Sequence, residues 1–358
     1  MKIGIEEEFL VVDPETLFYE PGALRLANAL VYRDIKYLKK SNIELPLNSN
    51  MLERPLSDFK KAFCVIEIKT APHHDIKGLK KEIQEHRSNL VEVARENGLI
   101  LLPAGVHPMH SPDNTVPDNC ASLHIHLENE SEDYYQRLLC TIPFLISVSV
   151  NSPFYGGKQK AMSSRSLISP HMGLPKNRYS RTSDLIINKS LNTVEVRTLD
   201  TQITLDDTMG IVEMVKTIAE NDIFDDPDMS EERYVSERRR AVKKGRGSVP
   251  ISKEKHDVLL HSGPHARLLL NKKSGAKWQI DVRKKHGLSS VVTSLWSSLQ
   301  SNKRTVKTTS KGISESNGWG DLLYAVPYSP FLFLEKYKKY HQDLAYLDEY
   351  EDKVEELF

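Results

Sequence analysis

The sequence predicts an α+β fold in which an antiparallel sheet carries helices on one face and polar side chains on the other. Two observations favour this fold. Four short segments alternate apolar and polar residues with period 2, and helix-like segments are interleaved irregularly with them. If the four segments lie in one sheet, their apolar faces pack on the helices and their polar residues gather on the opposite face.

The first strand-like segment, IGIEEEFLVV at residues 3–12, places three glutamates in an apolar run. Alternation puts Glu6 and Glu8 on one face and Glu7 on the face of Ile5 and Phe9. Two neighbouring carboxylates repel each other and lose hydration unless a cation or hydrogen bonds compensate. The alternative for this stretch is a solvated edge strand.

Three further segments repeat the pattern of an apolar face and an i, i+2 polar pair. They are VIEIKT with Glu67 and Lys69, SLHIHLE with His124 and His126, and TVEVRTL with Glu195 and Arg197. A short apolar strand is predicted at residues 99–102. Helices are predicted over residues 23–40, 76–97, 133–150, 205–221 and 331–358.

The gathered polar face indicates a metal and phosphate site. Converging carboxylates suit a hard divalent cation, Mg²⁺ or Mn²⁺, and Mg²⁺ in proteins commonly binds together with the phosphates of ATP. Arg197 and Lys69 would hold phosphate or carboxylate oxygens. The alternatives are an ordinary core or surface histidine at His124 and a surface ion pair between Glu195 and Arg197. The sequence has no P-loop and no kinase motif set, so a nucleotide site here is of another kind.

Composition argues against two classes of partner. Lys plus Arg and Asp plus Glu each number 49, so the formal net charge is zero and nothing global indicates nucleic acid or membrane binding. The longest apolar run, residues 138–150, contains Pro143 and is too short for a membrane span. The start, MKIGIEEEF, lacks a signal-peptide pattern, and the three cysteines stand far apart. We therefore expect a reduced, cytoplasmic protein, and a homo-oligomer is left open.

A change in composition near residue 245 divides the chain. We predict a catalytic domain at residues 1–250 and a C-terminal extension at residues 251–358. Within the extension, the Ser/Lys-rich stretch at 297–316 has the composition of a mobile segment. One hypothesis makes the extension part of a lid or acceptor pocket. The alternative is a peripheral or oligomer-forming appendage.

Taken together, the motifs resemble the glutamate–cysteine ligase family of the second type, the carboxylate–amine ligases. The resemblance covers residues 1–250 and rests on GIEEEF at 4–9, EIKT at 67–70, HIH at 124–126, NSPF at 151–154, SSRS at 163–166, GLP at 173–175 and TVEVRTLDTQ at 193–202. The chain departs from the family pattern at four positions: Ser122 replaces a glycine, Phe63 and Val65 replace glutamines, and Ile186 replaces an arginine.

The resemblance implies a fold of the glutamine synthetase type, with a curved, mainly antiparallel sheet and helices on its convex face. It implies an ATP- and Mg²⁺-dependent ligase that joins glutamate to an amine, with cysteine as the leading acceptor. The implied metal ligands are Glu6, Glu8, Glu67, His124 and Glu195. Arg197 and Arg165 would clamp phosphate and substrate carboxylate in catalysis, and Asn151 and Lys69 would bind substrate. The alternatives are another amine acceptor, a non-catalytic nucleotide-binding relative and, as the weakest, RNA binding through the basic run at 237–247.

Overall fold

The computed structural model describes residues 1–33, 43–44, 64–110, 120–129, 131–168, 178–179 and 183–314. The helix predicted over 331–358, the GLP motif at 173–175 and the position of Phe63 lie outside these residues, as does the end of the helix predicted over 23–40. Across the described ranges, every helix is too short or too polar to cross a membrane.

One sheet contains all four predicted polar-faced strands. In chain order the strands of the described residues are β1 (Ile3–Val12), β2 (Ile43–Glu44), β3 (Val65–Lys69), β4 (Ile100–Leu102), β5 (Ser122–Glu128), β6 (Phe154–Tyr155), β7 (Lys158–Gln159), β8 (Leu185–Asn188) and β9 (Thr193–Asp200). The sheet order is β2-β3-β1-β5-β9-β8, β4 pairs with the end of β1, and β6 and β7 form a separate hairpin. The sheet pairings between these strands are antiparallel, which confirms the predicted type of sheet.

Four helices lie close to their predicted limits where the structure describes them, and further helices follow in the region after residue 250. The described helices are α1 (Ala23–Arg33), α2 (Ile76–Glu96), α3 (Glu132–Ser149), α4 (Ser164–Ile168), α5 (Leu205–Glu220), α6 (Glu231–Lys244), α7 (Lys253–Leu260), α8 (Pro264–Asn271), α9 (Gly275–His286) and α10 (Leu288–Ser301). Asp75 caps α2 by accepting a 2.7 Å hydrogen bond from the Gly78 amide, and Thr204 caps α5 through the Asp207 amide. Such caps satisfy amides that the first turn of a helix leaves without partners.

Glu7 fixes β1 to the helices behind the sheet. Its side chain is fully buried and accepts hydrogen bonds of 2.7 Å from the Nε and Nη2 atoms of Arg87 on α2. Thr208 on α5 donates a third bond of 2.7 Å to the same carboxylate. The middle glutamate therefore points away from Glu6 and Glu8, as alternation requires, and ties their strand to two helices.

Residues on both sides of position 250 share one hydrophobic core. The core extends from Ile3 on β1 to Leu299 on α10. Helix α8 packs on α5, and α10 packs on β4 and α2. In the same region, Gln279 on α9 donates hydrogen bonds of 2.7 and 2.9 Å to the backbone and side-chain oxygens of Asn151. The described part of the extension thus contributes to the core, and these contacts give no support to a lid over the carboxylates.

The Ser/Lys-rich segment, for which the composition predicts mobility, follows a defined path along α10 where the structure describes it. Residues 297–301 complete α10, and the chain then runs back along that helix in extended form. Alternate amides of the returning chain bind serines spaced four residues apart on α10: Thr305 to Ser298 at 2.7 Å, Lys307 to Ser294 at 2.8 Å and Thr309 to Ser290 at 3.2 Å. The two spacings match because four helical residues rise about 6 Å and two extended residues about 6.6 Å.

Candidate active site

Strand register brings the predicted polar residues together on one face. Glu6 lies opposite Lys69 of β3 on one side and His124 of β5 on the other. Glu8 lies opposite Glu67, and His126 lies opposite Glu195 of β9. Directly opposed residues in an antiparallel pair have neighbouring side chains. These residues therefore meet although up to 189 positions separate them, from Glu6 to Glu195.

Two groups of potential metal ligands share Glu6. The first is Glu6, Glu67 and His124, and the second is Glu6, His126 and Glu195. Within each group the three ligand atoms lie within 4.8 Å of one another. Either group could hold a divalent cation, and the shared carboxylate of Glu6 would bridge two such cations. The geometry thus assembles four of the five predicted ligands, and it adds His126.

A β-bulge shapes the site between β5 and β9. The register shifts between Leu123 and Ile125, so that Arg197 and Thr198 together oppose His124. Strict alternation would have placed residue 199 on the face of Glu195 and Arg197. Because of the extra residue, Leu199 instead lies opposite Leu123 in the core. Bulges commonly reorient side chains beside functional sites, and this one lets β9 present Arg197 and still bury Leu199.

The charges within the site depend on one another. Burial raises the pKa of Glu6, but the imidazoles of His124 and His126 and the charge of Lys69 outweigh it and hold the pKa well below its usual range. Burial likewise raises the pKa of Glu195, but Arg197 and the two histidines lower it to about 2. Both carboxylates are therefore ionised at neutral pH, as metal ligands must be.

The donor set fits a divalent cation. The Nζ atom of Lys69 lies 2.9 Å from oxygens of both Glu6 and Glu67, so an ammonium group already bridges two carboxylates there. The buried Nε2 atom of His126 has no hydrogen-bond partner among the described residues. Carboxylate oxygens with a minority of imidazole nitrogens suit Mg²⁺ or Mn²⁺, and the imidazoles favour Mn²⁺ more than a purely oxygen site would.

Glu8 is held differently from the other predicted ligands. It lies on the expected face and is 7% exposed, but it belongs to neither ligand group of the described residues. Its Oε2 atom accepts bonds from the backbone amide of Ser122 at 2.7 Å and from the Ser122 hydroxyl at 2.5 Å. Alternation identified the face of Glu8 correctly, but it carried no information about this partner.

Asn151 lies in the core, where its contacts do not support the predicted role in substrate binding. Its side chain is fully buried, and its amide nitrogen donates to the carbonyls of Pro103 and Thr201 at 2.7 and 2.6 Å. Its side-chain oxygen accepts from Gln279. Because every polar group of this side chain is used inside the protein, none remains for a substrate.

Asp200 connects three of the most distinctive sequence motifs. Its buried carboxylate accepts hydrogen bonds from the backbone amide of Asn151 at 2.8 Å, the Ser152 hydroxyl at 2.7 Å and the Ser163 hydroxyl at 2.9 Å. The motifs NSPF, SSRS and LDTQ therefore meet at one carboxylate. They form a scaffold at the end of β9 rather than the ligand surface itself.

Arg165 belongs to the same scaffold. It is 3% exposed, and its guanidinium donates to the backbone carbonyls of Arg197 at 3.1 Å and Leu199 at 3.4 Å. These bonds hold the bulged part of β9 in place. The contacts support a structural role, and a direct contact with substrate stays a prediction.

Arg197 and Lys69 lie among the ligands, as predicted. Arg197 donates to Glu195 through Nη1, and its buried Nε has no hydrogen-bond partner in the described part of the chain. Asn188 on β8 donates a 3.1 Å bond to the other oxygen of Glu195. Sequence reasoning missed Asn188 because a single asparagine at a strand end gives no pattern. The HIH alternation places His126 on the same face as His124, so His126 could have been predicted as a ligand from the sequence.

Comparisons with known proteins bear on the same residues. The model of glutamate-cysteine ligase family 2 matches residues 2–120, which include Glu6, Glu8 and Glu67. A protein provisionally named glutamate–cysteine ligase 2-2, from Rubrobacter xylanophilus, is 25% identical over 204 residues, 49% of this chain and 47% of its own length. A protein provisionally named glutamate–cysteine ligase 2, from Solibacter usitatus, is 26% identical over 187 residues, 46% of this chain and 44% of its own. The chain spans about half the length of these two relatives.

A solved structure supports the fold over most of the chain. Glutamate–cysteine ligase from Francisella tularensis, solved in complex with AMP, superimposes with a TM-score of 0.55 at 12% identity and covers 86% of this chain and 90% of its own. At that identity the likeness concerns the fold. The comparisons confirm the resemblance that the motifs indicated, and the match to the glutamate-cysteine ligase family 2 model covers residues 2–120.

Proposed function

We propose that this protein is an ATP-dependent carboxylate–amine ligase that forms a γ-glutamyl amide through an acyl phosphate. The observation that carries the proposal is the pair of ligand groups sharing Glu6, with Lys69 and Arg197 beside them. The family resemblance and the AMP-bound relative support ATP as the nucleotide. The proposal includes a sheet that is concave toward the ligands, with its helices on the convex side.

In the proposed reaction, a γ-carboxylate oxygen of glutamate attacks the terminal phosphorus of ATP, and the bond to the ADP oxygen breaks. The amine nitrogen then attacks the acyl carbon, loses a proton and displaces phosphate. Mg²⁺ or Mn²⁺, held by the residues of the two ligand groups, would supply positive charge to the phosphate oxygens. The residues of the chain orient the reactants, and such positioning accounts for much of the rate in phosphoryl transfer.

Arg197 is the residue best suited to bind the anionic groups of the substrates. Its Nη1 is held by Glu195, and the side chain is 20% exposed. A guanidinium binds phosphate or carboxylate oxygens in a fixed planar geometry. Lys69 would contribute a second, more mobile positive charge once a metal ion replaces its ammonium group as the partner of Glu6 and Glu67.

Ile186 favours a second candidate reaction with a different amine acceptor. It lies opposite Glu195 in the register of β8 and β9, and it is 2% exposed without joining the core formed by its neighbours Leu185 and Ile187. An apolar side chain therefore occupies the ligand side of β8, where the family pattern has an arginine. An acceptor without a carboxylate at this contact, such as a polyamine, fits that surface better than cysteine does.

The proposal is tested by incubating the protein with ATP, Mg²⁺, glutamate and a panel of amines that includes cysteine and polyamines. Phosphate release and the mass of the amide product are measured. We expect amide formation with at least one amine. Mg²⁺–ATP should also raise the free energy of unfolding by about 2.7 kcal/mol at a hundredfold excess over Kd. A product with a polyamine but not with cysteine would favour the second candidate.

The Glu195→Gln variant serves as the inactive comparison, and Glu128→Gln is the matched control. Glu128 lies at the exposed end of β5, where it pairs with Lys2, so the same substitution there should leave the reaction unchanged. Nucleotide binding without amide formation from any amine would instead indicate a non-catalytic relative. Absence of both a melting shift and a product would refute the site.

A further inference from the structure

Ser122 links the carboxylate of Glu8 to the imidazole of His124 by hydrogen bonds. It is 3% exposed at the start of β5, two residues before His124 and on the same face. Its hydroxyl oxygen lies 2.5 Å from Oε2 of Glu8 and 2.8 Å from Nε2 of His124. A continuous hydrogen-bonded chain therefore runs from Glu8 through Ser122 to the imidazole of His124.

The direction of these hydrogen bonds follows from the number of protons. A serine hydroxyl has one proton to donate, and a carboxylate oxygen only accepts. The hydroxyl therefore donates to Glu8, and its oxygen accepts the second bond. That bond must be donated by His124, so the proton of the neutral ring lies on Nε2 and the lone pair on Nδ1.

The lone pair on Nδ1 faces the metal-ligand group. Nδ1 of His124 lies 3.1 Å from Oε2 of Glu6, and the two residues belong to the same ligand group as Glu67. Two electron-rich atoms at this separation repel each other unless a positive charge lies between them. The chain from Glu8 therefore prepares His124 to bind a cation jointly with Glu6.

We propose that Ser122 is a positioning residue that fixes His124 in its Nε2–H tautomer and so presents Nδ1 to a divalent cation shared with Glu6 and Glu67. Glu8 is then the acceptor at the end of this chain through its Oε2 atom. The inference rests on the proposed function for the identity of the cation. It concerns a feature of this chain, because the resembled motif has glycine at the position of Ser122.

Mn²⁺ binding tests the consequence for the metal. The protein and its Ser122→Ala, Ser122→Gly and Ser122→Thr variants are titrated with Mn²⁺ alone, and pulsed EPR records the coupling of Mn²⁺ to imidazole nitrogen. Removing the hydroxyl should weaken Mn²⁺ binding about 10- to 100-fold and reduce the nitrogen coupling, as is usual for residues that orient metal ligands. Threonine keeps the hydroxyl and should restore both.

Ser164→Ala is the matched control, since Ser164 is fully buried and its hydroxyl has no hydrogen-bond partner within the described residues. It should bind Mn²⁺ as the unaltered protein does. Circular dichroism checks that every variant is folded. Unchanged Mn²⁺ affinity and nitrogen coupling in Ser122→Ala would overturn the proposal.

A measurement without metal separates failure of this inference from failure of the proposed function. Nitrogen-15 NMR of the chelator-treated protein, at a pH where the ring is neutral, reports which nitrogen of His124 carries the proton. We expect protonated Nε2 in the unaltered protein and in Ser122→Thr, and a shift toward protonated Nδ1 in Ser122→Ala. Protonated Nδ1 in the unaltered protein would refute the tautomer. The expected tautomer without any Mn²⁺ binding would confirm the positioning and refute the metal site.

Discussion

Replacing Arg87 with methionine tests whether the buried ion pair behind the sheet holds the active-site strand. Arg87 is 6% exposed and Glu7 is fully buried. The substitution keeps the length of the side chain and its packing near Phe9, whose ring lies 5.6 Å from the guanidinium. It removes both 2.7 Å bonds to Glu7 and also the 3.2 Å bond to the carbonyl of Gln202. A carboxylate is then left in the core with only Thr208 as a partner.

The expected loss follows from that uncompensated charge. Breaking a buried ion pair from one side costs about 3–5 kcal/mol, because the remaining charge keeps its desolvation penalty. At about 2 °C per kcal/mol for a protein of this size, the melting temperature should fall by ~6–10 °C. Urea unfolding followed by circular dichroism measures the change in free energy, and the midpoint should fall without a large change in the slope.

Two further variants show whether charge is the cause. Glu7→Leu combined with Arg87→Met removes both charges and should be destabilised less than Arg87→Met alone. Arg33→Ala removes the partner of Glu92 and Glu96 at the surface and should change stability by less than about 1 kcal/mol. A loss below about 1 kcal/mol in Arg87→Met, or a double variant less stable than the single one, would refute the reasoning.

Three further predictions concern catalysis, pH and the segment along α10. Glu195→Gln should leave the fold intact and lower ligase turnover by about 10²-fold or more; near-normal turnover would reduce Glu195 to an ion-pair partner of Arg197. Burial lowers the pKa of His107 to about 3, so at acidic pH the unfolded chain binds a proton that the folded protein does not. The free energy of unfolding should therefore fall by about 1.4 kcal/mol per pH unit as the pH decreases from about 6.5 toward 3. Urea unfolding of His107→Gln should show a weaker dependence of this free energy on pH, and an equal dependence in the two proteins would contradict the prediction. Ser294→Ala removes the hydrogen bond that the Lys307 amide donates to Ser294 and should cost about 0.5–1.5 kcal/mol in the same assay. An unchanged midpoint would show that this bond does not hold the segment.

The class of fold and the face of the sheet that carries the chemistry could both be predicted from the sequence. Period-2 alternation assigns each residue of a strand to one of two faces, and this local property does not depend on the partners of the strand. It therefore placed Glu6, Glu67, His124 and Glu195 together before any pairing was known. Helices with clear apolar periodicity and caps, such as 76–96, were likewise predicted within a few residues.

Long-range contacts determine which residues on that face can share a cation and which motif residues belong to the scaffold, and the sequence did not predict these contacts. Strand register, the bulge at Arg197 and the packing of helices are long-range features, and alternation fixes none of them. They place His126 opposite Glu195 and bring Ser122 within hydrogen-bond distance of Glu8. They also buried Asn151 against Gln279, a residue 128 positions away. A motif shows that its residues are needed together, whereas the three-dimensional contacts show whether they bind the ligand or support the residues that do.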